Sequence, residues 1–555
     1  MGYVVGIDTG GTYTDAVLID NTAAGAVGVK RKAKAVTTHE KLESGISESI
    51  AGLCLDKDEA DEIERVVLST TLATNAIVEG RLGSIGLIVI GSSPSGEIAC
   101  SHVRNVDGQV NIKGRIVQDV NEIQVKKAVS EILPYVQAIA VSGAASIRNP
   151  LLEQKVREYI TEFCDLPVIC GHELASGLGF LERTNTAVIN AGLLPVIDRF
   201  IKAIELVLSQ YHINAPVFVV KGDGTTAKLE AIHKTPIDTA LSGPASSMIG
   251  AINLTGVEHA AIADMGGTTT DTGIVNNRQI KLSADGAVIG GWKLMIKSAK
   301  LSTFGLGGDS CIKINDGMIK VGPERVLPVC RGGSRLTPTD IVHCTGEYIK
   351  WDKEAAQNKL EKAAETENID KEKLIFKIKR LIVDMINEHL PEIADSRMPV
   401  CAIGAPAKTW YSIANEFHSF NLIIPEHYEV ANAIGAATAG IQEESSALIR
   451  RGEENKGYLV HVQNQRFSCG ELNEAVEKAV KMCVQLAEKA ITRQNISAAL
   501  TEIEGESYFQ KDGDIITDKW SVCSIEDITL QRIPAGSRYI QTHITVRTCG
   551  NIFSD

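Results

Sequence analysis

Short apolar runs that end in glycine- or threonine-rich loops alternate with segments of helical spacing along most of the chain. The first run, Tyr3-Val4-Val5-Gly6-Ile7, predicts a buried strand, and Ala16-Val17-Leu18-Ile19 predicts a second. Gly10-Gly11 lies between them, and glycine accepts the backbone conformations a tight turn demands, so the pair reads as a hairpin. Val27 to Val36 predicts a third strand with basic residues on its outer face, and Leu42, Ile46, Ile50 and Leu53 mark a helix from Lys41 to Leu53. Val66 to Leu68, Ile85 to Ile90, Ala138 to Val141 and Val168 to Cys170 are further buried runs. Amphipathic helices at Val120 to Leu133 and Leu151 to Phe163 separate the later ones, so a mixed, largely parallel sheet is expected. Ser92 to Arg115 is polar, rich in Gly and Ser and without periodicity, and reads as a surface excursion. Leu193 to Tyr211 predicts a long helix with Pro195 in its first turn.

The same local pattern then returns. The strand Val217 to Val220 empties into Lys221-Gly222-Asp223-Gly224-Thr225-Thr226, and Ser242-Gly243-Pro244-Ala245 opens a small-residue helix. Strands at Ala260 to Ala263, Thr272 to Val275 and Gln279 to Leu282 follow. The loop of this second hairpin, Asp264-Met265-Gly266-Gly267-Thr268-Thr269-Thr270-Asp271, shares the pattern D-x-G-G-T-x-T-D with Asp8-Thr9-Gly10-Gly11-Thr12-Tyr13-Thr14-Asp15. Repetition of both the string and its flanking strands points to a duplicated domain. Lys353 to Leu390 is charged, helical and broken near Asn368. Pro399 to Ile403 is a strand ending in Gly404-Ala405-Pro406-Ala407, and Val430 to Gly440 is an Ala/Gly-rich helix with Asn432 and Gly435 placed for close packing. After Gln442 the chain turns more polar and mixes α and β, with a helix at Leu472 to Ile491. The expected division is a first lobe at 1–183, a second at 184–441 with a helical insertion at about 346–396, and a C-terminal α+β module at 442–555.

Bulk properties narrow the function classes. A chain of 555 residues exceeds a single core. A net charge of −13 argues against a general nucleic-acid binder, which needs a basic face to replace counterions. No run reaches the roughly 18 apolar residues of a membrane helix, and no basic-then-apolar leader opens the chain. The 12 cysteines, from Cys54 to Cys549, form no C-x-x-C pair and read as reduced thiols of a cytoplasmic protein. Cys100 with His102, and Cys164 with Cys170, have ligand-like spacing but are more simply buried or incidental residues.

The hairpins carry the candidate chemistry. Each has an acid at both ends, hydroxyls along it, and glycines that let backbone N–H groups approach an anion. Two such hairpins suit two lobes closing on one nucleotide. Asp8 and Asp264 would face a divalent ion directly or through water, and magnesium fits because it keeps most of its waters. The bare backbone of Gly404 to Ala407 would lie against adenine and ribose. The hydroxyls and amide of Thr70 to Asn75, just past a strand end, sit where open α/β sheets place ligand contacts.

This order of parts resembles the actin-like ATPase superfamily: an α/β fold of duplicated actin-like (ribonuclease H-like) ATPase lobes, here with a small α+β C-terminal module. Within it, Gly6 to Asp15, Thr70 to Ala76, Glu182-Arg183-Thr184, Leu241 to Ala245 and Asp264 to Asp271 resemble the hydantoinase/oxoprolinase family of hydantoinase A type, collinearly from Met1 to about Gly440. The resemblance implies an ATP- and Mg2+-dependent opening of a cyclic amide, a hydantoin or a lactam such as 5-oxoproline, through a phosphorylated amide. It implies Asp8 and Asp264 at magnesium and Asp271 orienting the attacking group. Gly10, Gly11, Thr12, Thr14, Gly266, Gly267, Thr268, Thr269, Gly307, Gly308, Gly404 and Ala405 would contact the nucleotide. Thr71, Thr74, Asn75, Glu182 and Arg183 would face the substrate, and the same five suit helix capping and lobe-to-lobe hydrogen bonding. The implied partners are the cyclic amide and a separate hydrolytic subunit, in a homo- or hetero-oligomer, with no nucleic acid and no membrane. Three segments depart from the family pattern: Ser92 to Arg115 is short, Asp309 stands in the glycine loop, and Lys221-Gly222-Asp223-Gly224 replaces an amide-containing loop. A small-molecule kinase releasing a stable phosphorylated product, and a non-catalytic ATP-gated binding or activator protein, are the alternative readings.

Overall fold

The computed structural model describes residues 2–21, 27–37, 42–175, 177, 179–390, 398–452, 456–462, 465–492, 498–511, 514–523, 534–535 and 537–550. Its contacts form two compact units, 1–82 with 193–439 and 83–192 with 440–555. The sequence places boundaries at 183 and 441; compactness divides the chain at 82/83, 192/193 and 439/440.

The first unit holds both hairpins, each in a sheet of its own. Tyr3–Thr9 pairs antiparallel with Tyr13–Asp20, which pairs with Gly28–Val36. On its other side Tyr3–Thr9 runs parallel to Ile63–Thr70, which runs parallel to Val217–Val220. The second sheet repeats this plan: Ala260–Met265 pairs antiparallel with Thr270–Asn276, which pairs with Gln279–Ile280, while Val400–Ile403 runs parallel to Ala260–Met265. The duplication read from two eight-residue strings is therefore a duplication of sheets. Asp8 lies opposite Asp15 and Asp264 opposite Asp271, so each hairpin presents its two acids as a cross-strand pair.

Apolar faces explain the packing. Val5, Ile7, Leu18, Ile46, Ile50, Phe200 and Ile204 form one core under the first sheet. Leu360, Ile378, Ile382, Trp410 and Tyr411 join the helices Lys353–Thr366, Lys371–His389 and Ala407–His418 in another. Asn368, with φ at 50°, makes the expected break between the first two helices. The last residues of the expected insertion, 391–397, lie outside the described ones. Helix Ala431–Thr438 packs on both lobes: a Cβ on Gly6 would meet Ala433 O at 2.2 Å, and one on Gly435 would meet Ser246 O at 1.7 Å. Only glycine permits these approaches.

The second unit contains a four-stranded parallel sheet in the order Val168–Cys170, Ala138–Gly143, Ile85–Ile90, His102–Val106. Helices Glu122–Ile132 and Leu151–Thr161 cover it through Val125, Val129, Leu152, Val156 and Ile160. Its C-terminal part is an antiparallel sheet packed against helix Leu472–Thr492 through Val476, Val480 and Cys483. The architecture is that of duplicated actin-like lobes with an α+β module.

Two expectations are corrected. Ser92 to Arg115 is not all excursion, because His102–Val106 is an edge strand of the parallel sheet. Only Val106 of its five residues is buried, so the apolar signal of a strand is missing. The helix expected from Leu193 begins at Phe180, which places Pro195 inside it. Ala187, Val188, Ile189, Ala191 and Leu193 are all buried, and burial on every side erases the periodicity. The hydroxyls of Thr184 and Thr186 bond back to Phe180 O and Glu182 O within that first stretch.

Candidate functional site

The two hairpins line one cavity of about 530 Å3 within the first unit. Of the residues proposed from sequence, Asp8, Gly10, Gly11, Thr12, Thr71, Asn75, Asp264, Gly266, Gly267, Thr268, Thr269, Asp271, Gly308, Gly404 and Ala405 reach it. Thr14, Thr74 and Gly307 are not lining residues. The hydroxyl of Thr14 pairs with that of Thr37 at 3.0 Å. The Thr74 hydroxyl accepts from Leu241 N at 2.9 Å, steadying a leucine in the left-handed region at the entry to helix Ser242–Thr255. Gly307 packs against the second hairpin, where a Cβ would lie 2.5 Å from Thr268 N. Glu182 and Arg183 belong to the other compact unit.

Four carboxylates, Asp8 and Asp15 buried and Asp264 and Asp271 half-buried, dominate the electrostatics. Burial, with the fields of Asp15 and Asp264 adding to it, pushes Asp8 up to about 7. Burial, followed by the field of Asp264, pushes Asp271 up to about 6. Asp15 and Asp264 are raised for the same first reason. Asn432 Nδ2 donates to Asp8 at 2.7 Å and to Asp15 at 3.2 Å, bridging the first pair. Lys34 Nζ lies 2.5 Å from Asp15, Ser247 Oγ donates to Asp264 at 2.6 Å, and Thr303 Oγ1 donates to Asp271. Asp8 Oδ1 is buried and makes no well-formed hydrogen bond, although the Ser69 hydroxyl favours the charged carboxylate. A carboxylate oxygen so placed, facing a second acidic hairpin, fits a hard divalent cation.

Glycine gives the cavity its walls. Gly404, at φ 91°, presses its Cα against the second hairpin: a Cβ would stand 2.3 Å from Met265 O and 2.6 Å from Asp264 Oδ1. Gly308 N and Asp309 N donate to Gly266 O and Gly267 O at 3.0 and 2.7 Å, so the glycine loop stacks on the hairpin. Asp309 faces Arg325 at 3.6 Å and is raised chiefly by burial.

Sequence reasoning left several lining residues unassigned. Arg331 sets its guanidinium 5.7 Å from the Tyr13 ring centroid and 5.1 Å from that of Trp351. Tyr348 meets Trp351 edge-on at 6.0 Å. These lie in irregular chain past the second hairpin, and no motif marks them. Asp15 and Asn432 were legible as residues of a motif and of a small-residue helix, but their partnership needed the fold.

The cysteine pairs settle into structural roles. All twelve cysteines are free, and Cys100 Sγ donates to Ile85 O. Glu153, Cys170 and His172 cluster within 4.8 Å of one another. The Glu153 carboxylate already accepts from Gly143 N and His172 N and lies 2.6 Å from His172 Nδ1, so the cluster works as a polar brace.

Comparison with known proteins agrees with this geometry. A family model described as the Hydantoinase/oxoprolinase N-terminal region matches residues 4–164, and one described as Hydantoinase/oxoprolinase matches residues 183–445. The chain belongs to the hydantoinase/oxoprolinase family. This hydantoinase/oxoprolinase chain is 28% identical over 377 residues to caprolactamase subunit alpha of Pseudomonas jessenii, covering 61% of this chain and 53% of that one. It is 26% identical over 390 residues to the acetophenone carboxylase gamma subunit of Aromatoleum aromaticum, covering 60% and 52%. It thus spans about half the length of these two relatives. The crystal structure of ATP-dependent caprolactamase from Pseudomonas jessenii superposes with a TM-score of 0.74 at 20% identity, covering 98% of this chain and 87% of that one, and shows the same fold. Among the described residues, no helix is long and apolar enough to cross a membrane.

Proposed function

We propose that this chain is the ATP-using component of a hydrolase that opens a cyclic amide through a phosphorylated amide. The observation that carries the reading is the pair of acid-bearing hairpins lining one cavity, with Asp8 Oδ1 buried and making no well-formed hydrogen bond. Four carboxylates there would repel a polyphosphate, so nucleotide binding requires a cation between them. Asp8 and Asp264 would hold Mg2+, which would supply charge neutralisation for the phosphates. Gly10, Gly11, Thr12, Gly266, Gly267 and Thr268 would offer backbone and hydroxyl donors to the phosphates, and Gly404 and Ala405 would lie along the nucleoside.

An amide resists water because its nitrogen donates into the carbonyl. Transfer of the γ-phosphoryl from ADP oxygen to amide oxygen breaks the P–O bond of ATP and forms one to the substrate. The carbon becomes electrophilic; water adds to it, the ring nitrogen departs with a proton to leave an acyl phosphate, and a second water releases phosphate and the carboxylate. Thr71 and Asn75, joined by a 3.2 Å hydrogen bond at the cavity wall, would hold the amide, and Asp271 would orient the attacking group. The relatives are named as subunits, which supports a hetero-oligomer in which a second subunit completes hydrolysis.

The acetophenone carboxylase relative favours a second reading, in which the oxygen phosphorylated belongs to a ketone enolate and not to an amide. One assay separates them. ADP release from the pure chain is measured across hydantoins, lactams and aryl ketones, with phosphorus NMR of the products. Stimulation by a lactam or hydantoin supports the first reading; stimulation by ketones alone overturns it in favour of the second. A stable phosphorylated product would assign the chain as a kinase, and nucleotide binding without stimulation by any compound would leave only a gating role.

A further inference from the structure

The second unit carries a cavity of its own, about 490 Å3, that none of the chemistry above uses. Its position follows from the sheet. From Ile85–Ile90 the chain passes to the neighbour on one side, His102–Val106, and next to the neighbour on the other, Ala138–Gly143. The strand order therefore reverses between Ile85–Ile90 and Ala138–Gly143, and all strands point the same way. Open α/β sheets bind ligands in the crevice beyond the carboxyl ends at such a reversal. Gly91 and Ser92 follow the first strand, Asp107 and Gly108 the second, and Ala144 to Ser146 the third, and all of them line the cavity.

The wall of this cleft is braced from behind by buried charge. Arg183, fully buried, donates to Gly143 O at 2.6 Å, Ala144 O at 3.0 Å and Gly177 O at 3.1 Å. Glu153, also fully buried, accepts from Gly143 N at 2.9 Å. Thr184 Oγ1 meets Ser142 Oγ at 2.8 Å. The Glu182-Arg183-Thr184 motif thus holds the loop after the third strand in one shape. Two buried ionic groups spent on one loop are more than a surface turn needs.

The lining defines the ligand. Ser92, Gln109, Gln118 and Ser146 offer hydroxyl and amide groups, against Ile90, Val106 and Leu152 on the apolar side. None of the described lining residues is a lysine or arginine, and the one charge is the carboxylate of Asp107. Phosphates and carboxylates find no counter-charge there. We propose that the cleft at the carboxyl ends of Ile85–Ile90, His102–Val106 and Ala138–Gly143 binds an uncharged, amide-bearing small molecule. Side-chain amides of Gln109 and Gln118 match the paired donor and acceptor of such a group, while Asn105 Nδ2 donates to Gly91 O at 2.8 Å and holds the loop after the first strand. The site is separate from the nucleotide cavity, and its test involves no turnover.

The test uses the full chain with saturating Mg·ADP, so that the nucleotide part of the first cavity is occupied, and hydantoin as the probe, with Ala144→Trp separating binding in the cleft from binding beside the nucleotide. Saturation-transfer NMR reads probe contact, with N-carbamoylglycine as the ring-opened anionic control. Hydantoin is expected to give a signal and the anion none. Ala144→Trp, at an exposed residue whose side chain would fill the cleft, should cut the hydantoin signal at least fivefold, with the circular dichroism spectrum and ADP affinity unchanged. Gln109→Leu, at the exposed rim, should weaken it about twofold to fivefold. Absence of a hydantoin signal in the wild type, equal signals in both variants, or a stronger signal from the anion would each overturn the proposal.

Discussion

Replacing Gly435 by alanine tests how the carboxylate pair of the first hairpin is held. Helices Ser242–Thr255 and Ala431–Thr438 touch backbone to backbone, because Gly250 and Gly435 face each other. A methyl group on Gly435 would stand 1.7 Å from Ser246 O, where ordinary contact begins at 3.4 Å. The helices must part by an amount on the order of 1.5 Å, and overpacking of this kind costs about 1–3 kcal/mol. Asn432 sits one turn earlier on the same helix, and its amide is shared by Asp8 and Asp15 at 2.7 and 3.2 Å. Withdrawing it loses hydrogen bonds to charged groups worth about 1.5–3 kcal/mol each. The combined expectation is a loss of about 4–9 kcal/mol, against a total stability of roughly 5–15 kcal/mol for a typical fold. Calorimetry should show the transition of the first unit shifted down by several degrees, and titration with Mg·ADP should show affinity reduced at least tenfold. Gly440→Ala is the control, since a Cβ there meets nothing within 4 Å. A Gly435→Ala protein that melts and binds nucleotide like wild type would refute the account of the helix contact.

Three further outcomes follow from the site. Asp8 is pushed up to about 7, so below that pH the cation must displace a proton, and Mg2+ affinity should fall about tenfold per pH unit on going down from 7 and level off above it; isothermal titration at several pH values with proton-release measurement checks the slope. Gly404→Ala places a Cβ 2.3 Å from Met265 O at a φ of 91°, and should weaken Mg·ADP binding at least tenfold while leaving the second unit's melting transition in place. Asp340 accepts from Val329 N, Cys330 N, Thr337 N and Thr337 Oγ1, which anchors the loop bearing Arg331. Asp340→Asn should cost about 3 kcal/mol, read as a lower melting temperature, because buried donors lose their acceptor.

The parts of the fold that the sequence revealed were those with a local physical signature. Glycine pairs between apolar runs marked both hairpins, and the repeated acids marked them as equivalent. The break at Asn368 and the helix carrying Gly435 were visible because turn residues and small residues act locally. Other parts carried no such mark. His102–Val106 is an edge strand with one buried residue, and the stretch Ala187 to Leu194 is buried on every side, Asn190 included, so neither shows a period. The site divides the same way. Asp8, Asp264 and the glycines could be read from one dimension, whereas Arg331, Tyr348, Trp351 and the sharing of Asn432 between two acids arise only when distant segments meet. Arg183 shows the converse: its motif was recognisable, yet the structure uses its guanidinium to brace backbone carbonyls.

The central claim is that both acidic hairpins serve one metal–nucleotide site. Its most direct measurement is Mg2+-dependent ATP turnover, with Mg·ADP binding alongside, in Asp8→Asn and Asp264→Asn. The account predicts that each substitution abolishes turnover and that each alone weakens Mg2+-dependent binding, because the two carboxylates face the same ion. Normal turnover in either variant, or loss in one with no change in the other, would contradict it.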